Sequence, residues 1–384
     1  MLLSLLCSAA VSAKSYTVRT RQQFNTVAAT MQLGDAIIIA NGTYTGWAAT
    51  ILTAGTAAQP ITIKAETVGK VIFTGSSTET VFKLTGKYIT ICGITFAGCN
   101  LAKAGKQSGV LVEMYNTIQC RLTQCNFTRN EVTTQYTPLV IVSGKGQNNR
   151  VDHCSFISNI NNQEVQVKVT KEECPQYTLI DHNEFKDKAK VTWSNSNGGE
   201  CVQIGQDPVL LGTAAPFTTV RNNYFVKCNG EPEVISNKCS GNKYIRNLFE
   251  DCEGELVMRG GHNCLIDSNL ISGGTGGIRV NGTGHILTHN QISKVKTGIR
   301  LMYGMGSGKQ EIGFYIAAAN CTVTNNTIKN CTTAILIGDS KNADWAGKFD
   351  TKRYPSRTIQ DVAPVDNIIA DNTFIEDEAT VVIN

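Results

Sequence analysis

The chain is punctuated by short apolar runs, each followed by a polar residue, a second short run and a Gly or polar turn. The phrase reads YTLIDHNEFKD from Tyr177, KYIRNLFEDCEG from Lys243, NCLIDSNLISGG from Asn263 and HILTHNQISKV from His285. Related versions begin near Tyr88, Thr117, Arg150, Thr218, Asn320 and Asp366, and several intervals are 21 to 24 residues. Runs this short cannot bury a face alone, whereas stacked coils bury a continuous core. The pattern predicts an all-β chain folded as a right-handed, single-stranded parallel β-helix. An Asn recurs after the first run at Asn183, Asn223, Asn247, Asn269, Asn290, Asn326 and Asn372. Stacked amides there predict a ladder that satisfies turn backbone the sheets cannot reach.

The open end of a solenoid needs a cover. Phe24, Val27, Ala28 and Met31 recur at helical spacing, so Thr20 to Met31 is predicted as an N-terminal cap helix within residues 15–35 or so. Gaps in the repeat near 101–112, 205–217, 303–316 and 339–364 predict loops, and long loops on a rigid scaffold are where a cleft is built. Met1 to Ala13 is a short apolar run ending in Val11-Ser12-Ala13, which predicts a secretory signal rather than a membrane span. That leaves 14–384 as one secreted β-helix domain, expected to act as a monomer.

Composition adjusts this picture in three respects. Only 17% of residues are charged and the net charge is +4, too little for a general nucleic-acid or polyanion binder, so any basic surface must be local. Asn-x-Thr triplets at Asn41, Asn126, Asn281, Asn320, Asn325 and Asn330 are candidate glycosylation sites. Of 14 cysteines, Cys7 lies in the signal; the remaining odd number leaves at least one thiol unpaired, and their spacing matches no zinc pattern.

The densest polar cluster runs from Asn195 to Arg259, inside coils expected to span about 190–305. Glu231 and Glu233 stand two apart, which on a strand aims both carboxylates at one face. Like charges so placed call for a cation, and carboxylates with an amide oxygen suit Ca²⁺; Asn197 or Glu200, one coil earlier, is the candidate for a third ligand. Lys238 follows, and Arg259 lies 21 residues further on, about one rung of roughly 5 Å along the axis. Arg279 and Arg300 continue the series at intervals of 20 and 21 and predict a positive track for an extended anionic chain.

These residues resemble polysaccharide lyase family 6, which contains alginate lyases and chondroitinase B. The resemblance covers nearly the whole solenoid, from GDAIIIANGTYTG at Gly34 onward, and is sharpest from Asn197 to Arg259. The family pattern of Glu-x-Glu, then Ile-Ser-x-Lys, then an Arg one coil later is met by Glu231, Glu233, Ile235, Ser236, Lys238 and Arg259. The resemblance implies that Glu231, Glu233 and Asn197 hold Ca²⁺, that Lys238 is the catalytic base and that Arg259 is the catalytic arginine. The chain departs from the family where His often follows that arginine: Gly260 stands there, with His262 two further on. Arg279, Arg300, His262, His285 and Tyr303 are the candidate substrate contacts.

In the implied reaction, a uronate polymer loses its C5 proton to Lys238 and its glycosidic oxygen departs from C4. Ca²⁺ on the adjacent carboxylate would make that proton more acidic. Alginate is the expected substrate and dermatan sulfate the alternative. A β-helix glycoside hydrolase using two carboxylic acids, or a non-catalytic carbohydrate-binding solenoid, are the rival readings.

Overall fold

The computed structural model describes residues 13–105, 107–206, 212–307, 315–348 and 358–384. The predicted signal segment lies outside them except for Ala13. Among the described residues, three long parallel sheets of 13, 13 and 12 strands run the length of the molecule, and each coil contributes one strand to each sheet in turn. One coil, for example, is Lys243–Ile245, Leu248–Cys252 and Glu255–Met258. Each strand bonds to its counterparts in the coils before and after, joined by the right-handed crossovers that parallel pairing demands. This is the predicted parallel β-helix.

Alternation explains why such short strands suffice. Phe96, Phe127, Phe156, Phe185, Phe225 and Phe249 point inward at one register position and stack ring on ring, with centroids 4.6 to 5.0 Å apart. That separation is the rung spacing of a β-sheet. The cap helix is Arg21–Ala28, shorter than predicted; Thr20 caps it by accepting from Gln23 N at 3.1 Å. Its Phe24 is fully buried against Trp47 and Phe82 and closes the first coil.

The asparagine ladder is present as predicted. The side chains of Asn183, Asn223, Asn247, Asn269, Asn290 and Asn326 each donate to the next asparagine's Oδ1 at 2.9 or 3.0 Å, the last to Asn372. Each also donates to a carbonyl of the preceding coil, as Asn247 does to Val220 O. The residue before each ladder asparagine, such as Arg246 or Ser268, takes positive φ, which turns the chain sharply enough to place the amide inside.

Two sequence expectations change. Asn281 is fully buried and donates to the carbonyls of Tyr303 and Ile316, so that triplet cannot carry a glycan on the folded chain. His285 is also fully buried, in a second turn where Asn149, Asn242 and Asn367 stand in other coils and accept a backbone N–H from the preceding coil. Its Nδ1 accepts from Cys264 N, as those asparagine oxygens do, and its Nε2 faces Asn281 O. It is therefore a turn residue rather than a substrate contact. The thirteen described cysteines are all unpaired, and most fill core positions as small apolar side chains.

Burial holds His285 neutral and pushes its pKa down to about 4 from 6.5. A group depressed in the folded state contributes nothing above its unfolded pKa; below it, the unfolded chain takes up a proton that the native chain refuses. Relative to His285→Asn, wild-type stability should fall between pH 6.5 and about 4 and then level off. The loss corresponds to about 3 kcal/mol, and urea unfolding of both proteins across that range measures it.

Candidate functional site

The outer face of the third sheet forms the floor of a groove of about 1010 Å³. Two columns of residues run along this face, each a consequence of register, and Ile141, Gln166, Gln203, Lys238 and Arg259 from them line the groove. In the first, Ile141, Gln166, Gln203, Ser236, Val257 and Arg279 are successive partners. The second runs along the strand ends, where Gly205, Lys238 and Arg259 each donate a backbone N–H to the preceding coil and so continue the ladder. Lys238 and Arg259 consequently sit one rung apart, as their spacing predicted.

Glu200, Glu231 and Glu233 lie beside Lys238, each buried and each offering an oxygen within 4.8 Å of the others. Glycines make this convergence possible. A Cβ on Gly199 or Gly230 would overlap the other's backbone, so the Asn-Gly-Gly-Glu turn packs directly on the turn before Glu231. There Glu231 Oε2 accepts from Gly198 N at 2.6 Å. Glu200 is gripped by amides, accepting from Gln203 Nε2 at 2.5 Å and Gln163 Nε2 at 3.1 Å, while Gln166 in turn donates to Gln203. Glu233 accepts from Arg279 Nη2 at 2.8 Å, and its other oxygen is buried without a hydrogen-bond partner.

The electrostatics of the trio are strained in one place and relieved in another. Burial, then the charges of Glu200 and Glu233, push Glu231 well above the carboxylate range. Glu233 is desolvated too, but Arg259, Arg279 and Lys238 outweigh that and hold it at about 2. Three close carboxylates with an orphaned oxygen form a hard donor set of the kind that takes Ca²⁺. The residues present fit such an ion.

Lys238 Nζ donates to Ser236 Oγ at 2.9 Å and stands 3.8 Å from Glu200 Oε1. Its side chain is almost wholly buried, and desolvation followed by the charge of Arg259 lowers its pKa despite the three glutamates. Desolvation pulls the other way on Arg259 and is outweighed by Tyr315 and the glutamates, which hold its proton more tightly than usual. The Tyr315 ring lies 5.6 Å from the Arg259 guanidinium and 6.0 Å from that of Arg279, a cation–π arrangement.

Placement separates the predicted residues into two groups. Glu200, Glu231, Glu233, Lys238 and Arg259 converge, with Arg279 bound to Glu233. Asn197 lines the groove, and its side-chain oxygen accepts from Gly198 N, the amide that Glu231 Oε2 also accepts from. Arg279 pairs in register with Arg300 but lies over Val257, not Arg259, so the three arginines form no single track. Arg300 is bound to both Glu255 and Asp339, which cancels the positive charge the track required. His262 is buried against Thr283 Oγ1 at 2.8 Å, and Tyr303 is buried with its hydroxyl directed to Asn384 O. Neither lines the groove. The glutamines and Tyr315 were missed; the one available signal was a polar Gln between core aliphatic residues in VQV and VQI.

A family model described as Chondroitinase B matches residues 18–383. No curated protein matches the chain. Among solved structures, it is similar to a mannuronic acid specific polysaccharide family 6 lyase from human gut microbiota, with 24% identity and a TM-score of 0.80 over 97% of this chain and 82% of that one. It is similar to the PL6 family alginate lyase AlyGC at 26% identity and a TM-score of 0.73, over 92% of this chain but 47% of that one. A PL6 family polysaccharide lyase from Pseudopedobacter saltans gives 22% identity and a TM-score of 0.75, over 95% and 92%.

The ion pairs of Arg300 make it a stability residue. Arg300→Ala leaves Glu255, whose side chain is 8% exposed, without its partner. Removing one member of a mostly buried pair should destabilise by about 2 kcal/mol, read as a lower urea midpoint, while KM for polysaccharide stays within about twofold, a change of under 0.5 kcal/mol.

Proposed function

This chain belongs to the chondroitinase B family, polysaccharide lyase family 6, and from that premise we propose that it cleaves alginate by calcium-assisted β-elimination. The observation that carries the proposal is the buried Lys238 amine, 3.8 Å from a glutamate of the acidic trio and one rung from Arg259. Two of the similar structures are described as an alginate lyase and a mannuronic acid specific lyase, which favours alginate over dermatan sulfate. The apolar run Met1 to Ala13 supports secretion.

Elimination across C4 and C5 of a uronate needs a base at C5 and a stabilised leaving oxygen at C4. Lys238 serves as the base: burial and the neighbouring arginine both favour its neutral form, and the lone pair on Nζ takes the C5 proton. The electrons of the broken C–H bond form the C4–C5 double bond as the C4–O bond breaks. Ser236 accepts a hydrogen bond from Nζ and fixes its position. Arg259 holds its own proton too tightly to act as an acid, so it hydrogen-bonds to the sugar carboxylate or the departing oxygen and stabilises the charge that develops there. The departing oxygen recovers a proton from the lysine or from water. Glu200, Glu231 and Glu233 would hold the Ca²⁺, which when bound neutralises the sugar carboxylate and raises the acidity of the C5 proton.

Lys238→Ala should lower formation of the unsaturated, ultraviolet-absorbing product by about 10³-fold, within the range for loss of a general base. Full activity in that variant would remove the lysine from the reaction, and saturated products from the wild type would point to hydrolysis. Exhaustive chelation should abolish turnover, with recovery on adding Ca²⁺ and little on adding Mg²⁺, which resists giving up its waters; turnover indifferent to chelation would assign the glutamates another role.

A further inference from the structure

The groove is electrostatically lopsided. Beyond Arg259, toward the C-terminal coils and outside the groove's lining, the arginines of the same sheet are spent, Arg279 on Glu233 and Arg300 on Glu255 and Asp339. Toward the N-terminal coils it is lined by Lys168 and Lys103, neither of which forms an ion pair with a described carboxylate. Both side chains are exposed to the groove. The Lys103 amine is anchored on the carbonyls of Gln135 and Tyr136 at 3.4 and 3.2 Å. It lies close enough to Lys168 that the second charge adds to burial in lowering its pKa. Two cations that repel each other, while the groove's Glu113 is paired instead to Lys83 at 3.2 Å, are an unfavourable arrangement for the free protein.

Register fixes where Lys168 stands. Val167 pairs with Ile204, and Ile204 with Asn237, so the residues that follow them, Lys168, Gly205 and Lys238, fall in one column on successive rungs. Gly205, at φ 75°, carries no side chain in this column, and a Cβ there would meet the buried Cys239 Sγ at 2.4 Å. Two rungs are about 10 Å, the length of roughly two 1,4-linked hexuronate residues. In a two-fold ribbon successive sugars are turned over, so carboxylates facing one wall recur at every second residue. That is the interval from Lys238 to Lys168.

We infer that Lys168, with Lys103 across the groove, forms a subsite for a uronate carboxylate two sugars from the cleaved bond, and that the polymer runs from the metal site toward the N-terminal cap. The inference takes the position of the cleaved bond from the lyase reading, but its binding test does not depend on turnover.

Calorimetric titration of Lys238→Ala and of Lys238→Ala combined with Lys168→Gln, using an oligomannuronate hexamer and separately a dermatan sulfate hexasaccharide, provides the test. Loss of a charge-assisted contact should weaken the hexamer by about tenfold, and Lys168→Arg in the same background should retain most of the affinity. An unchanged dissociation constant, absence of binding, or weakening confined to the sulfated hexasaccharide would overturn the subsite. A failure of the wild type to yield unsaturated product would overturn the lyase reading instead.

Discussion

In the three long sheets the strands hydrogen-bond to their counterparts in the coils directly before and after, so each side chain there has fixed neighbours one rung away. That constraint turns sequence spacing into distance. It stacks six phenylalanines into one column and seven asparagines into another, and it sets Lys238 beside Arg259. A slip of one residue in any coil would exchange inner and outer faces, and the buried ladder amides would lose their partners. The rigidity of the site follows from the same bonds that hold the fold.

On that frame the chain concentrates charge where a less constrained fold would disperse it. Three buried glutamates converge at cost, compensated on one side by Arg279 and Arg259 and gripped on the other by glutamine amides. The compensation is partial: Glu233 keeps an unpartnered oxygen, and Glu231 is strongly disfavoured as an anion. A bound cation would relieve both defects, so the energetic tension of the free protein is matched to its ligand.

The fold was legible because its signals are local and repeated. A two-residue alternation marks each strand, and the ladder asparagines mark each turn, so ten imperfect copies reinforce one another. The core of the site was legible for the same reason, since Lys238 and Arg259 stand one period apart and Glu200, Glu231 and Glu233 lie in one stretch. The arginine series misled because a near-constant interval was taken as register; that coil takes 22 residues from Val257 to Arg279, two more than the 20 from Arg259 to Arg279, so Arg279 lands over Val257. Polar type misled as well, for His285 replaces a turn asparagine by presenting Nδ1 as its acceptor.

By itself, then, the sequence determined the coil, the cap and the residues that carry charge, since these depend on alternation and period along one chain. Only the folded molecule decided which charges meet. Whether Arg300 faces a ligand or Glu255, and whether Lys168 shares a column with Lys238, depends on how many residues each turn consumes and on what packs across the groove. Those are contacts between coils many residues apart, and a Coulomb interaction follows distance in space rather than separation along the chain.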